Sequence, residues 1–350
     1  MSELLFEIGT EEIPAGYIEP ALTFLGRAAE KHLAELNLQY GNIRTVGTPR
    51  RLTLAVDDLQ ERQPDRVVEH TGPSRQAGFD TEGNPSKAAM GFARSRGIAV
   101  EDLKIVETPK GEYLVAVEQV NGVATIELLP DVLAKLVREM PFPKSMRWGD
   151  GNIAFARPIQ WLVAIFGGKV VDISIDQVRA GDSTAGHRFM APGPIAVTGF
   201  DEYQEKLLKN WVIVDPAERR QAVVDEVQKA ASGHNGTPIL DEELVNTVTN
   251  LVEIPWGVCG SFDEKFLELP REVLVTSMRE HQKYFPVADA RGDLLPLFVA
   301  VNNTRVDDRE LAVNGHQRVL RARLEDGLFF FREDKKSRLA DRRQDLEGIV

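Results

Sequence analysis

The chain has 350 residues, of which 43% are hydrophobic and 27% are charged, and its formal net charge is −12. This length predicts two or three soluble domains. The sequence has no apolar run of about 18 residues, so no membrane span is predicted. The single Cys259 excludes an intramolecular disulfide framework. The acidic balance gives no whole-chain signature of nucleic-acid binding, although a local basic face would be sufficient for it.

The first 56 residues predict a strand, a helix and a second strand. The N-terminus, MSELLFEIGTEEIP, lacks the basic and long apolar parts of a signal peptide, so we expect a cytoplasmic protein. LLFEIGT predicts the first strand, and apolar residues at helical spacing from Tyr17 to Leu38 predict the helix. RLTLAV, residues 51–56, alternates like a half-buried strand. This order of elements predicts a mixed α+β fold.

The next part of the chain changes from polar to regularly patterned sequence. Residues 62–87 contain Gly72-Pro73 and Asn84-Pro85, which predict a loop or an insertion. Ser86 is a candidate cap for a helix that runs to Arg96. Residues 104–122 predict a β-hairpin, and residues 124–140 predict a helix.

The second half of the chain alternates strands and helices. Residues 161–176 predict two strands around Gly167-Gly168, and further strands are predicted at 192–198 and 293–303. Helices are predicted at 218–233, at 241–253 and within 269–287. After residue 305 the sequence is charged and helical to its end, so we expect it to be part of a longer protein.

No catalytic or metal-binding motif is visible. The sequence has no phosphate-binding G-x-x-x-x-G-K-[ST] loop, no G-x-G-x-x-G after a strand, no H-E-x-x-H and no G-x-S-x-G. Cys259 lies in the apolar stretch VEIPWGVCGSF, which favours a buried structural thiol over a nucleophile. We therefore expect no catalytic residue, metal ligand or cofactor site in this chain.

Basic residues next to aromatic residues form four short clusters. Cations beside flat rings suit RNA phosphates and unstacked bases. The alternative interpretation is that these cations form salt bridges with Asp and Glu between domains. The candidates for RNA binding are Lys144, Arg147, Arg157, His187, Arg188, Arg279, Lys283, Arg318 and Arg321.

The stretch PFPKSMRWGDGNIAFARPIQWLVAIFGGKVV resembles the β subunit of the bacterial heterotetrameric glycyl-tRNA synthetase. The resemblance extends from residue 4 to residue 334, with the matching segments in the same order. They include LLFEIGTEEIPAGYI, TPRRLTLAV, NPSKAAMGFARSRGI, GHRFMAPGPI, LVEIPWGVCGSFDEKFLELPREVLVTSMREHQKYFPV and NGHQRVLRARLEDGLFFFRED.

This resemblance implies a role in translation. The family is an α2β2 class II aminoacyl-tRNA synthetase whose α subunit uses ATP and Mg²⁺ to activate glycine. The β subunit would bind and position tRNA(Gly) and assemble with the α subunit. The alternatives are a pure scaffold without tRNA contact and a vestigial editing-like domain.

The resemblance also implies a division of the chain. We expect an N-terminal α/β region over residues 1–160, with the loop or insertion near 62–87. Residues 161–305 are similar to the B3/B4 domain of the phenylalanyl-tRNA synthetase β subunit. Residues 306–350 would form a helical segment leading to a C-terminal half that this sequence does not contain.

Overall fold

The computed structural model describes residues 1–80, 82–338, 340, 343 and 347. The N-terminal unit starts with β1 (Ser2–Thr10), α1 (Ala15–Glu35), β2 (Ile43–Thr48) and β3 (Arg51–Leu59). An insert at residues 62–123 then interrupts this unit. The insert contains β4 (Arg66–Ser74), α2 (Arg75–Gly78), α3 (Lys87–Ser95), β5 (Lys104–Thr108) and β6 (Gly111–Val120).

The chain returns to the N-terminal unit after the insert. A long helix is followed by short strands and by one long strand that joins the first sheet. These elements are α4 (Thr125–Arg138), β7 (Met146–Arg147), β8 (Ala154–Phe155), β9 (Ile159–Phe166), β10 (Lys169–Val170), β11 (Ser174–Ile175), β12 (Val178–Gly181), β13 (Ser183–Ala185), β14 (Pro194–Ala196) and α5 (Phe200–Lys209).

The second unit, residues 216–334, is built around its own sheet. A π-helical turn at Ser277–Gln282 follows α8 directly. The elements are α6 (Pro216–Ala231), β15 (Thr237–Pro238), α7 (Glu242–Thr249), β16 (Trp256–Ser261), α8 (Arg271–Thr276), β17 (Phe285–Ala288), β18 (Leu294–Asn302) and α9 (Arg309–Asp334).

Strand β1 lies in the middle of the first sheet, whose order is β11-β12-β9-β1-β3-β2, with β10 also paired to β9. It runs antiparallel to both β3 and β9. Leu4, Phe6 and Ile8 pack in the core that contains residues of α1 and α4, whereas Leu5 packs in the core that contains residues of α5. Both faces of β1 are therefore buried, which explains why Leu4, Leu5 and Phe6 are consecutive apolar residues.

The second sheet, β15-β17-β18-β16, is also covered on both faces. Val299 of β18 packs with residues of α6 and α7, and the preceding Phe298 packs with residues of α9. Successive side chains of a strand point to opposite faces, so β18 separates two helical layers. None of the helices in the described part of the chain is long and apolar enough to cross a membrane.

The expectation of a mixed α+β, multi-domain fold is confirmed. Among the described residues, the predicted helices and strands are present except in two places. The helical segment predicted at 306–350 is observed as α9 up to Asp334, and most of residues 339–350 lie outside the described part of the chain. Residues 66–74 of the predicted loop form β4, which pairs with β6 at the edge of the three-stranded sheet of the insert. The helix predicted within 269–287 ends early, because the π turn is followed by Lys283 in the left-handed conformation and then by β17.

The predicted division of the chain also differs from the structure. The boundary between residues 160 and 161 falls inside β9, which pairs with β1 along most of its length. Residues 161–181 therefore belong to the first sheet, and the second unit begins at α6. Helix α9 is part of the second unit, because Leu320, Leu324 and Leu328 lie in its core.

Gly9 and Trp161 are cross-strand partners, and the indole of Trp161 covers the glycine. A Cβ atom on Gly9 would lie within the indole ring, so we expect Gly9→Ala to lower the free energy of unfolding by about 1–3 kcal/mol. Urea unfolding followed by circular dichroism measures this change. Gly16→Ala is the control, because no atom lies within 4 Å of its Cβ position. An equal loss in both variants would contradict this packing.

Candidate nucleic-acid interface

Three chain segments meet where β1 ends, where β2 turns into β3 and where β9 begins. The backbone N–H of Thr10 donates to the carbonyl of Arg50 at 2.8 Å, and that of Glu11 donates to the carbonyl of Pro158 at 3.1 Å. The Arg157 guanidinium donates to the carbonyl of Glu12 at 3.1 Å. These hydrogen bonds bring charged residues from distant parts of the sequence to one end of the first sheet.

Behind this end, Arg51 and Glu253 form a fully buried ion pair between the two units. Arg51 Nη2 donates to Glu253 Oε1 at 2.9 Å, and the Thr48 hydroxyl donates to the same oxygen at 2.8 Å. Arg51 also donates to the carbonyl of Ala185 at 2.7 Å. Glu253 follows α7 in the second unit, so the pair connects the two units electrostatically.

The charges of this pair stabilise each other. Burial by itself disfavours the charged form of each group. For Arg51, the attraction of Glu253 and Glu7 outweighs burial and raises the pKa above its ordinary value. For Glu253, the attraction of Arg51 outweighs burial and lowers the pKa. Both groups therefore stay ionised at neutral pH.

A second buried carboxylate extends the network within the N-terminal unit. Glu7 accepts hydrogen bonds from the Thr184 hydroxyl at 2.7 and 2.9 Å and from the Trp161 indole N–H. The Arg51 guanidinium lies 5.7 Å from the centre of the Trp161 ring. The result is a continuous polar cluster inside an otherwise apolar junction.

Arg219 of α6 fixes the same junction through backbone carbonyls. It is fully buried and donates to the carbonyls of Thr249 at 2.9 Å and Ile213 at 2.6 Å. It also donates to the carbonyl of Gly47 at 2.8 Å, across the two units. Burial lowers its pKa to about 10, so it remains charged at neutral pH.

The predicted cluster at 187–188 is engaged within the protein. His187 is buried, its Nε2 lies 2.6 Å from the carbonyl oxygen of Asn303, and its Nδ1 accepts from the backbone N–H groups of Phe189 and Met190. Both ring nitrogens are occupied, so the imidazole offers no free group to RNA. Arg188 forms ion pairs with Glu11 and Glu12.

The cluster at 279–283 is also neutralised by neighbouring carboxylates. Arg279 pairs with Asp241 at 3.4 Å and with Glu280 at 2.7 Å, and Lys283 lies 3.7 Å from Glu280. For these residues the geometry favours salt bridging over RNA contact. Arg157, whose Nε and Nη1 donate to backbone carbonyls, is similarly occupied.

Lys144 and Arg147 are different, because their side chains are exposed and have no partner among the described residues. Lys144 precedes the short hairpin of β7 and β8, and Arg147 lies on β7 itself. Trp148 follows at once, and its indole N–H donates to the carbonyl of Phe155 at 3.1 Å. Two cations without an ion-pair partner therefore lie close in the sequence to an aromatic ring that is fixed by a hydrogen bond.

Arg318 and Arg321 are exposed on α9 and likewise have no partner among the described residues. They line a cleft of about 520 Å³ together with Asn314, Gln317 and Ser261. Gln317 donates to the Ser261 hydroxyl at 3.1 Å, and Asp263, also in the cleft, accepts from the backbone N–H of Lys265. The cleft thus offers two guanidinium groups without an ion-pair partner among the described residues, one carboxylate and several neutral hydrogen-bonding groups.

The described residues contain no group of three or more His, Cys, Asp or Glu side chains that could hold a metal ion. Burial raises the pKa of the Cys259 thiol to about 11, so the thiol is protonated at neutral pH. A thiol in this state is a poor nucleophile.

Comparison with known proteins identifies the family. A profile described as "Glycyl-tRNA synthetase beta subunit" matches residues 4–350. The chain belongs to the glycyl-tRNA synthetase β subunit family. The glycine–tRNA ligase β subunits of Syntrophus aciditrophicus, Citrifermentans bemidjiense and Desulforudis audaxviator are 46%, 47% and 46% identical to it over 99–100% of this chain. The chain spans about half (51%) of the length of these relatives.

Sequence reasoning missed the buried polar network. Arg51 lies within TPRRLTLAV and Glu253 within LVEIPWGVCG, and neither segment has a motif that marks these residues. The available signal was a single carboxylate inside an apolar stretch, as in LLFEIG and LVEIPW. A charge in such a position needs a buried partner, because unpaired burial is costly.

We expect Glu253→Gln to lower the free energy of unfolding by about 3–5 kcal/mol, because it removes the carboxylate that is bonded directly to the buried Arg51. The lowered pKa of Glu253 means that its contribution is present at neutral pH and is lost as the pH falls through its folded-state pKa. Urea unfolding at neutral and acidic pH measures both effects. The free energy of unfolding of the Glu253→Gln variant should not show this decrease at acidic pH.

Glu11→Gln is the matched control, because it removes a carboxylate that pairs with Arg188 at the surface. Exposed ion pairs contribute little to stability, so this variant should unfold nearly as the wild type does. Equal destabilisation by the two substitutions would show that the buried pair has no special role.

Proposed function

We propose that this chain binds tRNA(Gly) and positions it for the attachment of glycine, as part of a glycine–tRNA ligase. The observation that carries this proposal is the pair of unpaired guanidinium groups, Arg318 and Arg321, in the cleft on α9. Neither guanidinium group has a carboxylate partner among the described residues, and the two stand one helical turn apart in the same cleft. Planar guanidinium groups bind phosphate oxygens in a bidentate manner, which suits an RNA backbone.

The contribution to catalysis would be positional. The relatives are named as β subunits, so we propose an α subunit as partner, in an α2β2 class II enzyme of the cytoplasm. The α subunit would bind ATP with Mg²⁺ and activate glycine, and this chain would hold no cofactor. Holding the tRNA end in place matters because a misplacement of about 1 Å can cost about a hundredfold in rate.

An assembly role is the second candidate, and a specific feature favours it. The face of α9 opposite its buried residues carries large exposed apolar side chains. These are Leu311, Val319, Phe329 and Phe330, which are 69%, 47%, 59% and 64% exposed. Aromatic residues exposed together often mark a protein interface. A scaffold of this kind would bind the α subunit without touching tRNA.

We also propose that residues 161–305 are similar to the B3/B4 domain of phenylalanyl-tRNA synthetase. A vestigial editing-like domain would need a pocket with convergent polar groups. The described second unit offers polar clefts, including that of Arg318 and Arg321. Incubation of mischarged tRNA with the complete β subunit tests this alternative, and we expect no deacylation.

We expect Arg318→Gln combined with Arg321→Gln to weaken tRNA binding and to make it less sensitive to salt. Each phosphate contact releases counterions, so losing two contacts should reduce the slope of log K against log salt by roughly 1–2. The measurement is a tRNA titration of the complete β subunit, with and without the α subunit, at several salt concentrations.

Arg332→Gln is the matched control on the same helix, because Arg332 is paired with Glu268 at 2.6 Å. It should leave the affinity and the salt slope unchanged. If the wild type binds the α subunit but no tRNA in either mixture, the scaffold role replaces the proposed one. If the double variant binds tRNA like the wild type, the cleft is not the contact site.

A further inference from the structure

A small cavity lies at the 148–151 turn, which directly follows Lys144 and Arg147 in the sequence. Its volume is about 190 Å³, and its walls are mainly apolar. The cavity lies between the segment from Trp148 to Ile159 and the hairpin of β11 and β12. The apolar lining is formed by Trp148, Ile153, Phe155, Ile159, Ile175 and Val178.

The cavity is held open by hydrogen bonds and by a close backbone approach. The Trp148 indole is anchored on the carbonyl of Phe155. Asp176 has a left-handed φ of 49° and accepts from the backbone N–H groups of Asn152 at 3.0 Å and Ile153 at 3.2 Å. A Cβ on Gly151 would collide with this carboxylate, so only glycine permits the approach. The site is therefore formed before any ligand arrives.

The chemistry around the cavity has two parts. Arg147 on β7 directly precedes Trp148, and Lys144 lies three residues before Arg147, so two cations without an ion-pair partner among the described residues adjoin, in the sequence, an aromatic residue of the cavity wall. The exposed carboxylates of Asp150 and Asp176 and the amide of Gln177 also line the cavity and provide hydrogen-bond acceptors. An apolar peptide side chain could fill the cavity but would make no contact with the cations.

We propose that this cavity binds one unstacked nucleobase of a single-stranded RNA segment, while Lys144 and Arg147 contact its flanking phosphates. The inference rests on the proposed tRNA-binding function and adds a second contact, on the N-terminal unit. A base that carries an exocyclic amino group fits best, because it can donate to the Asp176 carboxylate, as cytosine N4 does to Asp or Glu. Stacking on an aromatic side chain supplies the apolar part of the contact.

The test uses a fluorescent eight-nucleotide RNA of alternating cytidine and adenosine, and the duplex it forms with its complement. Both are titrated onto the complete β subunit in its complex with the α subunit. Val178→Phe fills the cavity and should weaken binding of the single strand about tenfold, as the loss of one stacked base would. Binding of the duplex should not change, because its bases are not free to enter.

Val170→Phe is the matched control, because Val170 is exposed on β10 of the same sheet and does not line the cavity. It should bind both RNAs like the wild type. Trp148→Ala removes the aromatic ring of the cavity and should also weaken binding of the single strand. Equal thermal midpoints for Val178→Phe and the wild type would exclude a folding defect.

The inference is overturned if Val178→Phe binds the single strand as tightly as the wild type, or if it loses the single strand and the duplex equally. This failure differs from that of the proposed function. If the wild-type complex binds tRNA and the octamer and the cavity variants bind the octamer equally well, the proposed tRNA-binding function is retained and the nucleobase site is rejected. If the complex binds no tRNA at all, the proposed function itself fails.

Discussion

The buried Arg51–Glu253 ion pair is the constraint on which the arrangement of this molecule depends. Both groups are removed from water, and an isolated charge in such a place is strongly unfavourable. The pair is therefore stable only when the turn between β2 and β3 meets the segment after α7. Thr48 donates a further hydrogen bond to Glu253, and the carbonyl of Ala185 accepts one from Arg51. Few alternative placements of the two units would satisfy the same charges.

This constraint has a consequence for the surface. The free cations Lys144 and Arg147 belong to the N-terminal unit, whereas Arg318 and Arg321 belong to the second unit. A junction held by buried charges and by Arg219 fixes the separation of these two sites. A folded RNA has phosphates at fixed spacings, so a rigid pair of contacts would favour one RNA shape over others. Phosphate contacts of this kind position a nucleic acid without reading its sequence.

The sequence predicted local structure well where one interaction dominated. The hairpin of β5 and β6 and the turn at Gly167-Gly168 were visible because their turn residues and apolar patterns agree; both glycines have positive φ. The edge strand β4 was missed because its polar residues resemble a loop. The division at residue 160 failed because β9 pairs with β1, and such long-range pairing leaves no local trace.

The candidate interface was predictable only in part. Cationic clusters can be read from the sequence. Of the carboxylates that pair with Arg188 and Arg279, however, only Glu280 is a neighbour in the sequence, whereas Glu11 and Asp241 come from positions tens to more than a hundred residues away. The structure therefore separates the nine predicted residues into engaged and free groups. The sequence predicts His187 as an RNA contact because of its neighbours Arg188 and Phe189. In the structure its ring is buried and makes hydrogen bonds to the backbone of Asn303 and of the 187–190 segment.

The central claim is that the buried pair holds the two units in one fixed arrangement. A distance measurement between spin labels tests this claim directly, with Lys144→Cys and Arg323→Cys introduced in a Cys259→Ala background. The account predicts one narrow distance distribution, which broadens or shifts when Glu253→Gln is added. A broad distribution in the parent protein, or an unchanged narrow one in the Glu253→Gln variant, would contradict it.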